Sequence, residues 1–191
     1  METILSLDQK ISESLIAFTQ TSGNFSAVAK LGAMWLVYLV PLSLVVIWFF
    51  NGPREKLTAL RVTIAGLLGW LALNSIISHF FFRTRPSINA AKELLFHLPD
   101  KSFPSDHATL GFTLAFGFWL AGYRKLGIFF LVLTATFSTL RVFTGLHFTT
   151  DILGGITVGL VMAWLSQTLK RPFDQYIGEL IMKIAKLLRL A

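Results

Sequence analysis

Between Leu31 and Phe50 the chain runs for 20 residues without a charge. That is about the length an α-helix needs to cross the ~30 Å hydrocarbon core of a bilayer. Hydrocarbon offers a backbone no hydrogen-bond partner, so a segment crossing it must be helical or part of a closed barrel. Four more apolar stretches follow: Leu57 to Phe82, Ser105 to Tyr123, Leu126 to Phe143 and Thr150 to Leu169. The expected architecture is therefore all-α, a polytopic membrane helix bundle of about five spans. Composition agrees: 54% of residues are apolar and 14% charged, with a mean hydropathy of +0.65, too apolar for a soluble domain and unlike disordered, collagen or coiled-coil chains. The 17 basic against 10 acidic residues are scattered between apolar runs without forming a stripe, which argues against nucleic acid as a partner. With no cysteine, disulfides, thiolate nucleophiles and cysteine-based metal sites are excluded.

Within the first span Pro41 is expected to kink the helix, and Asn51-Gly52-Pro53 ends it. Arg61, near the start of the second span, is expected to snorkel to the interface. Residues 83 to 104 form the longest connection, with a short helix expected at Ala90 to Phe96. In the last span Gly155 and Gly159 make a small-residue pair suited to helix packing inside the bundle, and Asn74 is expected to hydrogen-bond between helices. Two flanking segments are amphipathic: Ile4, Leu7, Ile11, Leu15 and Phe18 share one helical face, as do Phe173, Ile177, Leu180, Ile184 and Leu187. Lys183, Lys186 and Arg189 suit the second to an anionic lipid surface. The chain thus reads as a single membrane-embedded domain over 1–191: an interfacial helix at 1–30, a five-span core at 31–169 and a basic amphipathic tail at 170–191. The first 26 residues carry four charges and lack an apolar run and a small-residue cleavage site, so the first span itself is expected to act as the targeting signal.

Five spans put the chain ends on opposite sides. One side receives residues 1–30, 83–104 and 141–151. The other collects Arg54, Lys56, Arg61, Arg124, Lys125, Lys170, Arg171, Lys183, Lys186 and Arg189, the basic excess expected of the cytoplasmic face. Everything unusual lies on the opposite, outward side. Arg85-Pro86 closes the second span, Pro104-Ser105-Asp106-His107 opens the third, and Arg141, His147 and Asp151 bridge the fourth and fifth.

Ionisable groups at span ends are costly to bury and functional by default. Two guanidinium forks converging with a helix N-terminus form an anion site matched to phosphate. Asp151 lies four residues after His147, so on a helix its carboxylate would accept from one imidazole nitrogen and leave the other as an unprotonated nucleophile. His107 would protonate the leaving oxygen. Arginines and backbone N–H groups can stabilise the transition-state oxygens, so no metal or other cofactor is required. Asp106 either repels phosphate or orients a neighbouring Arg or His.

These three sets resemble the signature motifs of the type 2 phosphatidic acid phosphatase superfamily, K-x6-R-P, P-S-G-H and S-R-x5-H-x3-D, over residues 78 to 151. The resemblance implies a metal-independent membrane lipid phosphatase. In it, His147 would be the phosphohistidine nucleophile, Asp151 its partner, His107 the general acid, and Arg85, Ser105 and Arg141 phosphate ligands, with Asp106 grouped among the substrate-binding residues. Three positions depart from the pattern: Ser78 replaces the lysine, Asp106 the glycine and Leu140 the serine. Arg83, His79 or Lys101 could supply the missing basic contact. P-S-D-H without the lysine looks like the bacterial subgroup that dephosphorylates undecaprenyl diphosphate for cell-wall synthesis, for which Lys92, His97 and Lys101 would be extra basic groups. A phosphatidylglycerophosphate or phosphatidate phosphatase is the alternative within the family, and a non-catalytic phospholipid or anion carrier the alternative outside it. The implied partners are the lipid substrate and the bilayer.

Overall fold

A computed structural model of the chain describes residues 2–87, 89 and 101–188. The expected helix at 90–96, Lys92, His97 and Arg189 lie outside the described residues. No strand occurs among the described residues. The chain opens with α1 (Glu2–Thr21) and α2 (Gly23–Trp35), then a 3-10 turn at Leu36–Tyr38 and α3 (Leu39–Phe50). Next come α4 (Pro53–Leu68), a π-helical turn at Gly69–Leu73 and α5 (Asn74–Phe80). α6 (Asp106–Leu120), α7 (Arg124–Phe143) and α8 (Thr149–Thr168) complete the core, and helical turns at Lys170–Pro172 and Phe173–Gly178 lead into α9 (Glu179–Leu187).

Among the described residues, four stretches are long and apolar enough to cross a membrane: Gly23–Phe50, Pro53–Phe80, Arg124–Phe143 and Thr149–Thr168. The first begins at Gly23, eight residues before the expected Leu31, because Ser22 caps a new helix by accepting from Phe25 N. Its break falls at Leu36–Tyr38, one turn before Pro41, where proline's missing N–H and its ring disturb the preceding turn. The remaining expected span is α6, 15 residues long, or about 22 Å. It stops at Leu120 because Gly122 takes a left-handed φ of 91°, the usual helix-ending conformation.

α6 is the centre of the bundle, antiparallel to α4 and α7 and parallel to α8. The Gly155 and Gly159 pair lets α8 press against it: an added Cβ would lie 2.7 Å from Ala108 Cβ at Gly155 and 2.9 Å from Phe112 Cβ at Gly159. This is packing inside the bundle, as expected. Farther from the site, Val40, Ile47, Val62, Leu114, Phe118, Phe130 and Phe137 bring α3, α4, α6 and α7 into one apolar core.

Two charged residues behave differently from expectation. Arg61 does not snorkel: it is 2% exposed and its Nη1 lies 2.6 Å from Asp174 Oδ1, so the C-terminal segment supplies its counter-ion. On α1 the polar residues Asp8, Ser12 and Thr19 are buried while Leu5, Leu7, Ile11 and Phe18 are exposed. α1 turns Asp8, Ser12 and Thr19 to the protein, while its outward surface mixes those apolar residues with exposed Gln9, Lys10 and Glu13, a surface suited to the membrane interface.

Candidate active site

The chain's direction reverses between successive spans, so the segments after α5, before α6 and between α7 and α8 meet at one end of the bundle. The loop between α7 and α8 is tight: Gly145 has a φ of 73°, and the N–H groups of Leu146 and His147 both donate to Arg141 O, at 2.9 and 3.3 Å. That turn carries His147 inward, where it is 2% exposed.

His147 and Asp151 do not share a helix, although their four-residue spacing suggests one. α8 begins at Thr149, so His147 lies before the helix. Asp151 instead sits in the first turn and reaches back, accepting from Phe148 N at 2.8 Å and facing His147 Nδ1 at 3.3 Å through the same Oδ2. Nδ1 also lies 3.1 Å from Ser102 O. Both near groups are acceptors, which assigns the ring proton to Nδ1. Nε2 then presents its lone pair, 3.2 Å from Arg85 Nη1, which also donates to Leu146 O at 2.6 Å. Burial, reinforced by the nearby Arg85 and Arg141 charges, pushes the His147 pKa below the usual 6.5, against the raising effect of Asp151.

Arg141, 3% exposed, projects from the last turn of α7 and donates from Nη1 to His107 Nδ1 at 3.1 Å. That assigns the hydrogen of neutral His107 to Nε2. Trp70, in the π-helical turn, lies against the same ring with centroids 5.9 Å apart. Ser105 is fully buried at the N-cap of α6, yet its side chain makes no capping bond. Ser105 Oγ, Arg85 Nε and Arg141 Nε are buried without a protein partner. An unsatisfied buried donor costs about 1–3 kcal/mol, so a group of them beside a nucleophilic imidazole favours a ligand rich in acceptors.

Asp106 does not join that set. It accepts from Asn74 Nδ2 at 2.8 Å and lies 3.5 Å from Lys101 Nζ, so Asn74 makes the expected interhelical bond and Lys101 answers the negative charge. Of the groups considered in place of the absent lysine, Arg83 is occupied by Asp8 at 2.8 Å and Thr150 at 2.7 Å, while His79 is exposed. Ser78 is buried and bonds to Ser75 O.

Sequence reasoning missed Ser102. It is fully buried, its Oγ donates to Asp151 Oδ2, its carbonyl faces His147 Nδ1 and its N–H donates to Arg83 O. Its only signal was its place three residues before Ser105. Asp8 was missed too, and Arg83, considered only as a substitute phosphate contact, was not linked to Asp151, because these relations exist only in three dimensions.

Residues 57–173 match the model of the PAP2 superfamily. The chain belongs to that family. Among PAP2 and related proteins it is 33% identical over 139 residues to undecaprenyl-diphosphatase BcrC of Bacillus subtilis (strain 168), covering 69% of each chain. It is 30% identical over 135 residues to bacitracin transport permease protein BcrC of Bacillus licheniformis, covering 69% of this chain and 64% of that one. The match to YbjG of Escherichia coli (strain K12) likewise spans 64% of that protein's length. The fold is shared with the crystal structure of a transmembrane PAP2-type phosphatidylglycerolphosphate phosphatase from Bacillus subtilis, at a TM-score of 0.64 and 23% identity over 92% of this chain and 90% of that one. The family and its spanning helices make this an integral membrane protein.

Proposed function

We propose that the chain is a lipid phosphatase that hydrolyses undecaprenyl diphosphate to the monophosphate through a phosphohistidine. The observation that carries the chemistry is the buried His147, proton on Nδ1 and lone pair on Nε2, beside Arg85 and near donors that have no acceptor in the protein. Nε2 attacks the terminal phosphorus and a new N–P bond forms as the P–O bond to the bridging oxygen breaks. His107, once Arg141 has turned from its Nδ1 to the phosphate and that nitrogen has taken up a second proton, gives its Nε2 proton to that oxygen, and the lipid monophosphate leaves. A water, deprotonated by His107, then attacks the phosphohistidine, releasing inorganic phosphate and freeing His147. Arg85, Arg141, Ser105 and the first N–H groups of α6 stabilise charge on the equatorial oxygens. Lys101, against Asp106 at the start of α6, is the basic group suited to a second phosphate.

The lipid chain has an apolar route. A cavity of about 330 Å³ is lined by Val37, Tyr38, Leu44, Leu67, Trp70 and Leu110, with His107 in its wall. It lies between the broken first span, the second span and α6. A chain lying there would bring its leaving oxygen toward the proton donor.

The diphosphate substrate is favoured by P-S-D-H and by the relative of that name at 33% identity. A phosphatidylglycerophosphate substrate is favoured by the 25% match to phosphatidylglycerophosphatase B of Bacillus subtilis (strain 168), which covers 91% of this chain. Basic-residue placement supports a bacterial cytoplasmic membrane location, with the site facing outward and the C-terminus inside. The contacts of α1 with Thr150 and of Arg61 with Asp174 support reading 1–191 as one membrane-embedded phosphatase domain.

The deciding experiment is phosphate release from undecaprenyl diphosphate and phosphatidylglycerophosphate in detergent, with chelator, for the wild type and His147→Ala. Preferential release from the diphosphate, lost on the order of a thousandfold or more in the variant, is expected. Release only from the glycerolipid changes the substrate. Binding without release, retained in His147→Ala, makes the chain a carrier.

A further inference from the structure

Asp8 is only 3% exposed, although it lies on α1, outside the residues matched to the family. Its carboxylate accepts from Arg83 Nη1 at 2.8 Å, Thr150 Oγ1 at 2.5 Å and Thr150 N at 3.2 Å. Arg83 Nη1 in turn stands 3.6 Å from Asp151 Oδ1, too far for a hydrogen bond, and that oxygen has no hydrogen-bond partner. The guanidinium carbon is 3.4 Å from the ring centroid of Phe148, the residue after His147. Farther along α1, Ile16 packs at Gly145 and Thr19 Oγ1 donates to Phe143 O at 3.0 Å. One helix therefore grips the segment bearing His147 before, within and after the turn.

We infer that α1 is a working part of the active site and that Asp8 is a positioning residue, which detains Arg83 so that the Asp151 carboxylate stays committed to His147. Arg83 has two anions within reach, Asp8 and Asp151. While Asp8 and Thr150 hold its Nη1, the guanidinium contributes charge to the site without bonding Asp151. Without the Asp8 charge, Asp151 Oδ1 is the remaining anion. A shift of less than 1 Å would close a charge-assisted bond of about 2.8 Å. That bond would draw the carboxylate from Nδ1, where it is already at 3.3 Å, and weaken its support of the imidazole. A mere cap of α8 by Asp8 would affect stability and leave the chemistry alone.

This inference rests on the proposed phosphatase reading, and the test separates the two. The full chain in detergent is compared with Asp8→Asn, Arg83→Gln and the double variant for kcat, KM and thermal unfolding. The Nδ1 proton resonance of His147 is recorded in parallel. Asp8→Asn is expected to lower kcat about tenfold to a hundredfold with KM little changed, the loss that a small misplacement of a catalytic group produces. Removing the released guanidinium as well should recover part of that loss, so the double variant turns over faster than Asp8→Asn alone. The His147 Nδ1 proton should move upfield in Asp8→Asn. Wild-type kcat with an unmoved resonance overturns the inference, as does a double variant whose loss is the product of the single losses. No turnover by the wild type on any lipid phosphate overturns the phosphatase reading, and the resonance then decides whether Asp8 still sets the His147 contact. If Asp8→Asn does not fold, Thr150→Val, which removes the other acceptor of Arg83 Nη1, is measured the same way: a lowered kcat at unchanged KM with an upfield resonance is expected, and wild-type values for both overturn the inference.

Discussion

His147 is held neutral by burial and by two arginines, and the sign of its pH dependence follows. Its pKa lies below 6.5, and the unprotonated ring is the nucleophile. The His147-dependent acid limb of kcat/KM is therefore expected below pH 6.5, with activity falling as pH drops through the depressed value. Asp151→Asn removes the group that raises this pKa, so the acid limb should move lower while kcat declines. The same shift makes stability fall with pH below 6.5, because the unfolded histidine takes up a proton that the native one refuses. Ser102→Ala removes the hydroxyl donor to Asp151 Oδ2. A hydrogen bond to a charged group is worth about 1.5–3 kcal/mol, so a drop in turnover of roughly ten- to a hundredfold is expected in steady-state assays. The motif residues themselves could be read from sequence because their spacing is local. The roles of Ser102, Asp8 and Arg83 around Asp151 could not, since one hydroxyl and two surface-like charges gain those roles only when α1 and the segment before α6 fold onto the start of α8.

Among the elements, α6 and α8 form the contact on which the site depends, since Ser105 N donates to Asp151 O at 3.1 Å where the helices begin. A Cβ at Gly155 would stand 3.0 Å from Ser105 O and 3.1 Å from Thr109 N, backbone atoms that cannot rotate away. Gly155→Ala should therefore destabilise the protein by about 1–3 kcal/mol, the usual range for overpacking, and lower activity together with stability. Gly23→Ala, where an added Cβ meets nothing within 4 Å, is the control, with little change expected in a detergent melt. The apolar runs announced the helices because burial in lipid leaves a 20-residue signature. The shortness of α6 and the start of α2 at Gly23 were hidden, since both depend on capping and a left-handed glycine more than on hydropathy. The orientation of α1 was hidden too. Its apolar residues were legible, but not that the protein would bury Asp8, Ser12 and Thr19.

At the scale of the molecule the charge pattern yields a topology that a tag can test. A C-terminal tag is expected to be reachable only from inside the cell, and protection from inside with labelling from outside would invert the assignment. The far end of the bundle is closed by Arg61 and Asp174. Asp174→Asn would leave a nearly buried guanidinium without its anion and is expected to cost about 2–3 kcal/mol, read as a lowered unfolding temperature with the chemistry intact. Hydropathy gave no sign of this pair, because an arginine near a span end has two exits, the interface or a partner, and only tertiary structure shows which it takes. The pair also orders the molecule's birth. Arg61 and Asp174 are 113 residues apart, so at ordinary synthesis rates the ribosome makes the cation roughly 6–20 s before its anion. Asp174 therefore reaches Arg61 only after the spans between them have been made, and the pair closes a bundle whose spans are already in place.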